Sequence, residues 1–240
     1  MNKEQVTRCP ASMAWAGSKS GFDGRRLRAT AAALLLFTIG AMAHDHGLDA
    51  RPAVVLQSFP TRAEQMQADV RPWLERIMAA HGLEEWKATL LTNELHRHLG
   101  TYSIIGAKMG IRARELLDAE FDELRVESHA GLKPPLSCLN DGLQVSTGAS
   151  LGRGTITVGG TQPATPEAVF IHDGKTVRLR LKQNVVDRIR ADIAAAIKQH
   201  GNLTPAYFAA IRKLSLQHWA ELKRSEIFEE ALEPTATTGK

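Results

Sequence analysis

Apolar residues recur every three to four positions through the first half of the chain, which is the spacing of helices with one buried face. Thr61, followed three residues later by Glu64, has the spacing of a helix-capping box, and the apolar pattern continues from there to Gly82. The same spacing predicts two further helices, over residues 83–95 and 103–123. The sequence therefore predicts a helical first half.

The middle of the chain has the shorter period of β-strands. Residues 137–145 form a short mixed segment, and residues 155–158 are β-branched and alternating. Residues 168–172 and 176–181 flank an Asp173-Gly174 pair, the turn chemistry of a β-hairpin. We therefore predict a small, mainly antiparallel sheet.

Helical spacing returns after the hairpin. A helix is predicted over 185–200 and ends at Gly201, where a C-terminal glycine cap belongs. Thr204 and Pro205 open the last helix, which is predicted to reach about Phe228. Helices, strands and helices in this order indicate an α+β protein, with helices around the sheet and a C-terminal helical segment.

The N-terminal segment has the organisation of an export signal. The basic stretch 25–28 precedes residues 29–43, which carry no charge and end in the small-x-small triplet 41–43. A membrane-spanning helix needs about 20 apolar residues, so this run favours a cleaved signal over an uncleaved anchor. We expect a periplasmic or secreted protein with no stable membrane span after cleavage; Sec and twin-arginine export both remain open.

Four segments follow from these patterns. Residues 1–43 are predicted to be the signal peptide, 44–60 an extended lead-in, 61–232 the α+β domain, and 233–240 a disordered tail.

Composition and charge exclude some classes of function. Apolar residues make up 43% of the 240 and charged residues 23%, as in ordinary globular proteins. The net charge of +4 comes from the signal region, because 24 basic and 24 acidic residues remain after position 43. A nucleic-acid-binding protein needs a basic surface, so we expect no nucleic-acid partner.

The sharpest candidate chemistry is the pair His96-x-His98. Two histidines at this spacing cannot share one helical face, but they can bind one ion where the backbone leaves a helix, and Leu99-Gly100 allows that exit. Neutral imidazoles suit zinc, copper, nickel or iron(II), and Cys138 could supply the strong thiolate ligand that zinc favours. The alternative is a pair of ordinary surface or capping histidines.

Two further features of the sequence are weaker evidence for a binding site, and each has two interpretations. Cleavage after residue 43 would expose His44-Asp45-His46, whose free amine and imidazoles could chelate copper or nickel, or could simply form a flexible terminus. The glycine-rich stretch 148–154 could cradle an anion, but its place before a strand favours a packing turn. Among the single histidines, His200 is interpreted as a last-turn residue that favours the helix dipole, and His129, His172 and His218 stay unassigned. No nucleophile-elbow motif supports a serine triad.

Three motifs in order resemble one known family. They are Glu94–Gly100 with Ile105–Gly110, Ser137–Gly148 with Leu151–Gly154, and Leu214–Trp219 with Arg224–Phe228. Together they resemble the FmdE-like family of formylmethanofuran dehydrogenase proteins over about residues 85–228.

The resemblance implies an α+β domain, a homodimer, and a metal site on His96, His98 and Cys138. Many members have cysteines where this chain has Gly100 and Ala149, so the site here would contain less sulfur. The divalent transition metal expected first is zinc, with Glu94 beside the site as a candidate general base.

Three functions remain open from the sequence. The first is a metal-dependent enzyme, a hydrolase or a redox accessory protein, acting on a small molecule that the sequence does not identify. The second is a non-catalytic periplasmic metal carrier or sensor, and the third is a structural or dimerisation domain without metal.

Overall fold

The computed structural model describes residues 55–159 and 163–234. The predicted signal peptide, the His44 terminus, most of the lead-in and residues 235–240 lie outside these ranges. Within them the fold is α+β, as the sequence predicts, with the sheet placed between helical segments of the chain. Its helices are α1 (Leu74–His96), α2 (Thr101–Leu117), α3 (Leu139–Thr147), α4 (Gln183–His200) and α5 (Pro205–Glu221).

Five strands in the described ranges form one mixed sheet. They are β1 (Arg125–Ser128), β2 (Ile156–Val158), β3 (Glu167–His172), β4 (Lys175–Leu181) and β5 (Phe228–Pro234). Their order is β2-β1-β3-β4-β5, with β1 and β2 parallel and the other pairs antiparallel. The predicted hairpin is β3–β4, and its turn residues Asp173 and Gly174 both have positive φ, as that turn requires.

Two apolar clusters hold the helices in place. One packs the sheet against α2, α3 and α4, with Phe170, Leu139 and Met109 fully buried in it. The other joins α1, α2 and α5 around Trp86 and Trp219, whose stacked rings have centroids 5.0 Å apart. Helix α2 contributes to both clusters, so it is the element that fixes the sheet layer relative to the helices.

The first predicted helix begins later than the capping-box spacing suggests. Residues 63–65 form only a short 3-10 turn, capped by the Gln65 side chain rather than by Glu64, and α1 begins at Leu74. Pro72 lies at the start of the short 3-10 turn Arg71–Trp73 that leads directly into α1, and proline is tolerated in the first turn of a helix but not in its interior. The predicted break at Gly82 is present as a residue with φ of 80° inside α1.

Two other segments differ from their predictions. The mixed segment 137–145 is largely helix α3, which buries Leu139 and Leu143 at i, i+4 spacing. The last helix does not continue to Phe228 but ends at Glu221, because Phe228 is buried in β5, where it pairs with Leu181. Strand β5 ends at Pro234 and so includes the first two residues of the predicted tail.

Two glycines of α2, four positions apart, allow α3 to pack closely against it. A Cβ at Gly106 would collide with the Leu139 carbonyl oxygen, and one at Gly110 would collide with the Ser146 hydroxyl. The glycine-rich stretch 148–154 is a turn, as the favoured interpretation predicts: Gly148 caps α3 and the Arg153 guanidinium pairs with Asp122. No helix in the described ranges is long and apolar enough to cross a bilayer.

Candidate metal and ligand pocket

The end of α1 brings the two predicted histidines together. The helix ends at His96 because Arg97 adopts a left-handed conformation with φ of 63°, which turns the chain back. The rings of His96 and His98 then lie against each other, with centroids 4.1 Å apart. The backbone exit required by the i, i+2 spacing is therefore present.

Gly100 keeps the chain close to both rings. Its N–H donates to the Asn93 side-chain oxygen at 3.1 Å as the chain enters α2. A Cβ at Gly100 would lie 3.4 Å from His98 Nε2 and 3.6 Å from His96 Cδ2. Position 100 therefore faces the histidine pair, with the Ser103 hydroxyl oxygen beside it at 3.2 Å from the same Cβ.

Asp141 orients the ring of His96. Its carboxylate, in the first turn of α3, lies 2.7 Å from His96 Nδ1. In the neutral ring Nδ1–H donates to this carboxylate, so Nε2 carries the lone pair. The Nε2 atom is buried and has no hydrogen-bond partner. A histidine fixed by a carboxylate on one nitrogen and free on the other is the usual state of a metal ligand.

Cys138 approaches the histidines from a different element. It ends a 3-10 turn directly before α3 and is partly buried. Burial, with a further contribution from the Asp141 carboxylate, raises the pKa of the Cys138 thiol to about 11. The thiol is therefore protonated at neutral pH unless a cation compensates the charge of the thiolate.

All three predicted ligands line one cavity of about 190 Å³. Its remaining wall is mostly apolar and includes Tyr207 and Phe208, and the Phe208 ring meets the edge of His98 at a centroid distance of 5.7 Å. Burial and the neighbouring His96 lower the pKa of His98, so both effects favour a neutral ring. We call this cavity the histidine–cysteine pocket.

The pocket has the types of donor atom that a transition metal ion prefers, but these atoms are not arranged as a complete ligand set. His96 offers an unpartnered, oriented nitrogen, and His98 lies beside it. Across residues 55–159 and 163–234, however, no three His, Cys, Asp or Glu side chains are grouped so that they could hold an ion together. The three predicted ligands thus line one pocket but do not form a complete ligand set.

Glu94 lies elsewhere. It is exposed and borders a separate cleft of about 950 Å³, together with Asp69 and Arg212. His98 borders both this cleft and the histidine–cysteine pocket. Glu94 therefore shares a cleft with His98 but does not line the pocket that contains Cys138.

Two groups that contact residues of the pocket wall were not identified from the sequence. Asp141 belongs to a quoted motif, and its position three residues after Cys138, near one face of a helical turn, could have marked it. The second group is a hydroxyl–imidazole–carboxylate chain: His218 Nδ1 lies 3.0 Å from Thr101 Oγ1, and His218 Nε2 lies 2.8 Å from Asp192 Oδ2. These residues come from α2, α5 and α4, so only the tertiary fold reveals them.

Fold and pocket together define the class: an α+β domain in which two histidines at a helix end and a cysteine share one small, mostly apolar pocket. The chain belongs to the FmdE family. The family model described as "FmdE, Molybdenum formylmethanofuran dehydrogenase operon" matches residues 95–229, which is more than half of the chain. The matched range includes His96, His98 and Cys138.

Comparisons with curated proteins and solved structures do not extend this family assignment. No curated protein matches the chain. Among solved structures, the chain is similar to an FmdE-like protein, described as of the tungsten formylmethanofuran dehydrogenase type, from Syntrophus aciditrophicus, at 16% identity and a TM-score of 0.37, over 64% of this chain and 73% of the other. A likeness this distant says nothing about the activity of this chain.

Proposed function

We propose that this FmdE-family protein binds a divalent transition metal ion, zinc first among them, through His96, His98 and Cys138. The observation that carries the proposal is the buried, unpartnered Nε2 of His96, whose other ring nitrogen is held by Asp141. An unpaired buried polar atom costs about 1–3 kcal/mol, and an ion at this atom would remove that cost.

The three donors fit zinc by type, since zinc accepts imidazole nitrogen and thiolate sulfur in one tetrahedral site. Because the described side chains do not form a three-donor group, at least one of the three proposed ligands has to change its side-chain orientation when the ion binds. Binding also has to displace the thiol proton, since the thiol pKa is raised to about 11.

A metal-dependent enzyme is the first form of this proposal. When bound, zinc supplies Lewis-acid chemistry. The residues of the chain would do the rest: Asp141 orients His96, and Tyr207, Phe208 and Pro135 exclude bulk water from a space that takes only a small ligand. Hydrolysis and a redox accessory role both remain proposals, as does the identity of the small molecule.

A carrier or sensor is the second form, and one observation favours it. His98 is exposed, so an ion on this ring would be accessible to a partner that donates or accepts metal. Export to the periplasm, with a mature chain beginning at His44, and a homodimer are proposals as well. N-terminal sequencing of the secreted or periplasmic protein and light scattering of the purified chain test them.

The direct test is zinc content after loading and extensive dialysis. Wild type is expected to retain one ion per chain, and His96→Ala and Cys138→Ser to retain less than half as much. His200→Ala is the matched control, because it removes a histidine of α4 that does not line the pocket. Wild-type protein without zinc, or variants that retain it fully, would overturn the proposal.

Position 100 gives a gain-of-function test of the same site. Gly100→Cys places a sulfur next to both rings, since its Cβ would lie 3.4 Å from His98 Nε2, and it is expected to tighten zinc binding at least tenfold. Gly100→Ala adds the same Cβ without sulfur and is expected not to tighten it. Equal zinc affinities for the two variants would contradict the placement of the ion.

A further inference from the structure

One residue in the wall of the histidine–cysteine pocket belongs to a polar chain that metal binding does not use. Thr101, at the start of α2, lines the pocket, and its hydroxyl oxygen lies 3.0 Å from His218 Nδ1. The opposite nitrogen of the same ring lies 2.8 Å from Asp192 Oδ2. His218 is 2% exposed, whereas one third of the Asp192 side chain is open to solvent.

The hydrogen bonds of this chain have one consistent direction when His218 is neutral. The Asp192 carboxylate can only accept, so it fixes the ring proton on Nε2 and leaves Nδ1 as an acceptor. Thr101 then donates to Nδ1 and can accept from Ser215 Oγ, which lies 3.2 Å away. A hydroxyl that donates to an imidazole held by a carboxylate has the arrangement of an activated nucleophile.

The charges around the ring support its neutral form. Burial is the largest influence and lowers the pKa of His218, and Arg188 acts in the same direction. Asp192 and Glu221 oppose it. The helices packed on the ring therefore present one cation and two carboxylates, and burial outweighs the carboxylates.

We propose that Thr101 is a nucleophile of the histidine–cysteine pocket, with His218 as its general base and Asp192 as the positioning residue, acting on a small acyl or phosphoryl electrophile. In that step Thr101 Oγ1 bonds to the electrophilic carbon or phosphorus while the leaving group departs with its electron pair. The hydroxyl proton moves to His218 Nδ1, and Asp192 stabilises the resulting imidazolium. The inference rests on this pocket being the functional site, but it requires no metal.

A fluorophosphonate probe tests the nucleophile on the full chain. The probe forms an oxygen–phosphorus bond as fluoride leaves, and it prefers hydroxyls to thiols, so Cys138 does not compete. Peptide mass spectrometry is expected to locate the adduct on Thr101 in the wild type and to find none in Thr101→Val. Folded wild type without an adduct at Thr101 overturns the proposal.

The base and its positioning residue have their own readouts. His218→Gln is expected to slow labelling about a hundredfold, the low end of what a general base contributes. His200→Gln, at the end of α4, is the control and should label as wild type. Asp192→Asn keeps the residue size and is expected both to slow labelling and to shift its pH profile. Labelling of Thr101 at an unchanged rate in His218→Gln would overturn the role of the base.

Nitrogen NMR of histidine-labelled protein keeps the proposal testable if His218→Gln does not fold. The wild type is expected to show His218 protonated on Nε2 only at neutral pH, and protonation on Nδ1 overturns the proposal. Zinc content separates this inference from the metal proposal. Thr101→Val is expected to bind zinc as wild type does, so labelled protein without zinc refutes only the metal site, and zinc-loaded protein without labelling refutes only the nucleophile.

Discussion

The contact between α2 and α3 sets the position of Cys138 relative to the histidines, and Gly106 is the residue on which it depends. A Cβ at Gly106 would overlap the Leu139 carbonyl oxygen and approach the Leu139 carbonyl carbon to 2.9 Å and Gly142 Cα to 3.1 Å. All three are backbone atoms, so they cannot move aside without separating the two helices. Gly106→Ala therefore has to displace the start of α3, which carries Cys138 and Asp141.

The magnitude follows from two opposing effects. Overpacking a tight contact costs about 1–3 kcal/mol, and the rigid backbone places this contact at the upper end. Alanine gains about 1 kcal/mol over glycine inside a helix. The net prediction is a loss of about 2 kcal/mol in the free energy of unfolding, or about 4–8 °C in melting temperature for a domain of this size.

Urea unfolding, followed by zinc titration of the folded variant, measures both consequences. Gly152→Ala is the control, because a Cβ there meets nothing within 4 Å and the backbone is not left-handed. Its unfolding free energy is expected to stay within about 0.5 kcal/mol of wild type. If Gly106→Ala is as stable as Gly152→Ala, the close helix contact does not have the role assigned to it.

Three further predictions concern buried ionisable groups. Glu85→Ala is expected to lower the unfolding free energy by about 3–5 kcal/mol in urea melts, because it strips the fully buried Lys108 of its carboxylate partner; a loss below about 1 kcal/mol would contradict this. Metal-free Cys138 is expected to react slowly with iodoacetamide at pH 7 and progressively faster as the pH rises toward its pKa of about 11, and a rate plateau reached by pH 8 would refute that. Burial lowers the pKa of both His81 and His218, so the unfolded chain binds more protons than the folded one below about pH 6.5. The free energy of unfolding is therefore expected to fall as the pH drops below about 6.5, and melts that show no decrease there would oppose the reasoning.

Local chemistry explains which elements the sequence could predict. The β3–β4 hairpin depends on two adjacent turn residues, and the start of α5 depends on Thr204, whose hydroxyl accepts from the Tyr207 N–H at 3.1 Å. The His96-x-His98 pair needed only a helix end beside it. Such signals lie within a few residues of one another, so they can be recognised without tertiary structure.

The parts that the sequence did not predict depend on distant partners. Phe228 forms a strand because Leu181 offers it a sheet edge, although the local spacing continues a helix. Asp141 acts on a histidine 45 positions away, and His218 meets a hydroxyl 117 positions away. Glu94 is the opposite case: it lies two residues from His96 in sequence, but it does not line the pocket that contains Cys138.

The central claim is that His96, His98 and Cys138 bind one ion together, and cobalt(II) substitution tests it most directly. The full chain loaded with cobalt is expected to show the near-ultraviolet thiolate-to-cobalt charge-transfer band and the visible absorption of a tetrahedral site. The chain has two cysteines, Cys9 and Cys138, and Cys138→Ser retains Cys9. If this variant loses the charge-transfer band, the sulfur that binds cobalt is therefore that of Cys138. Cobalt-loaded wild type without the band, or a Cys138→Ser variant that keeps it, would contradict the account.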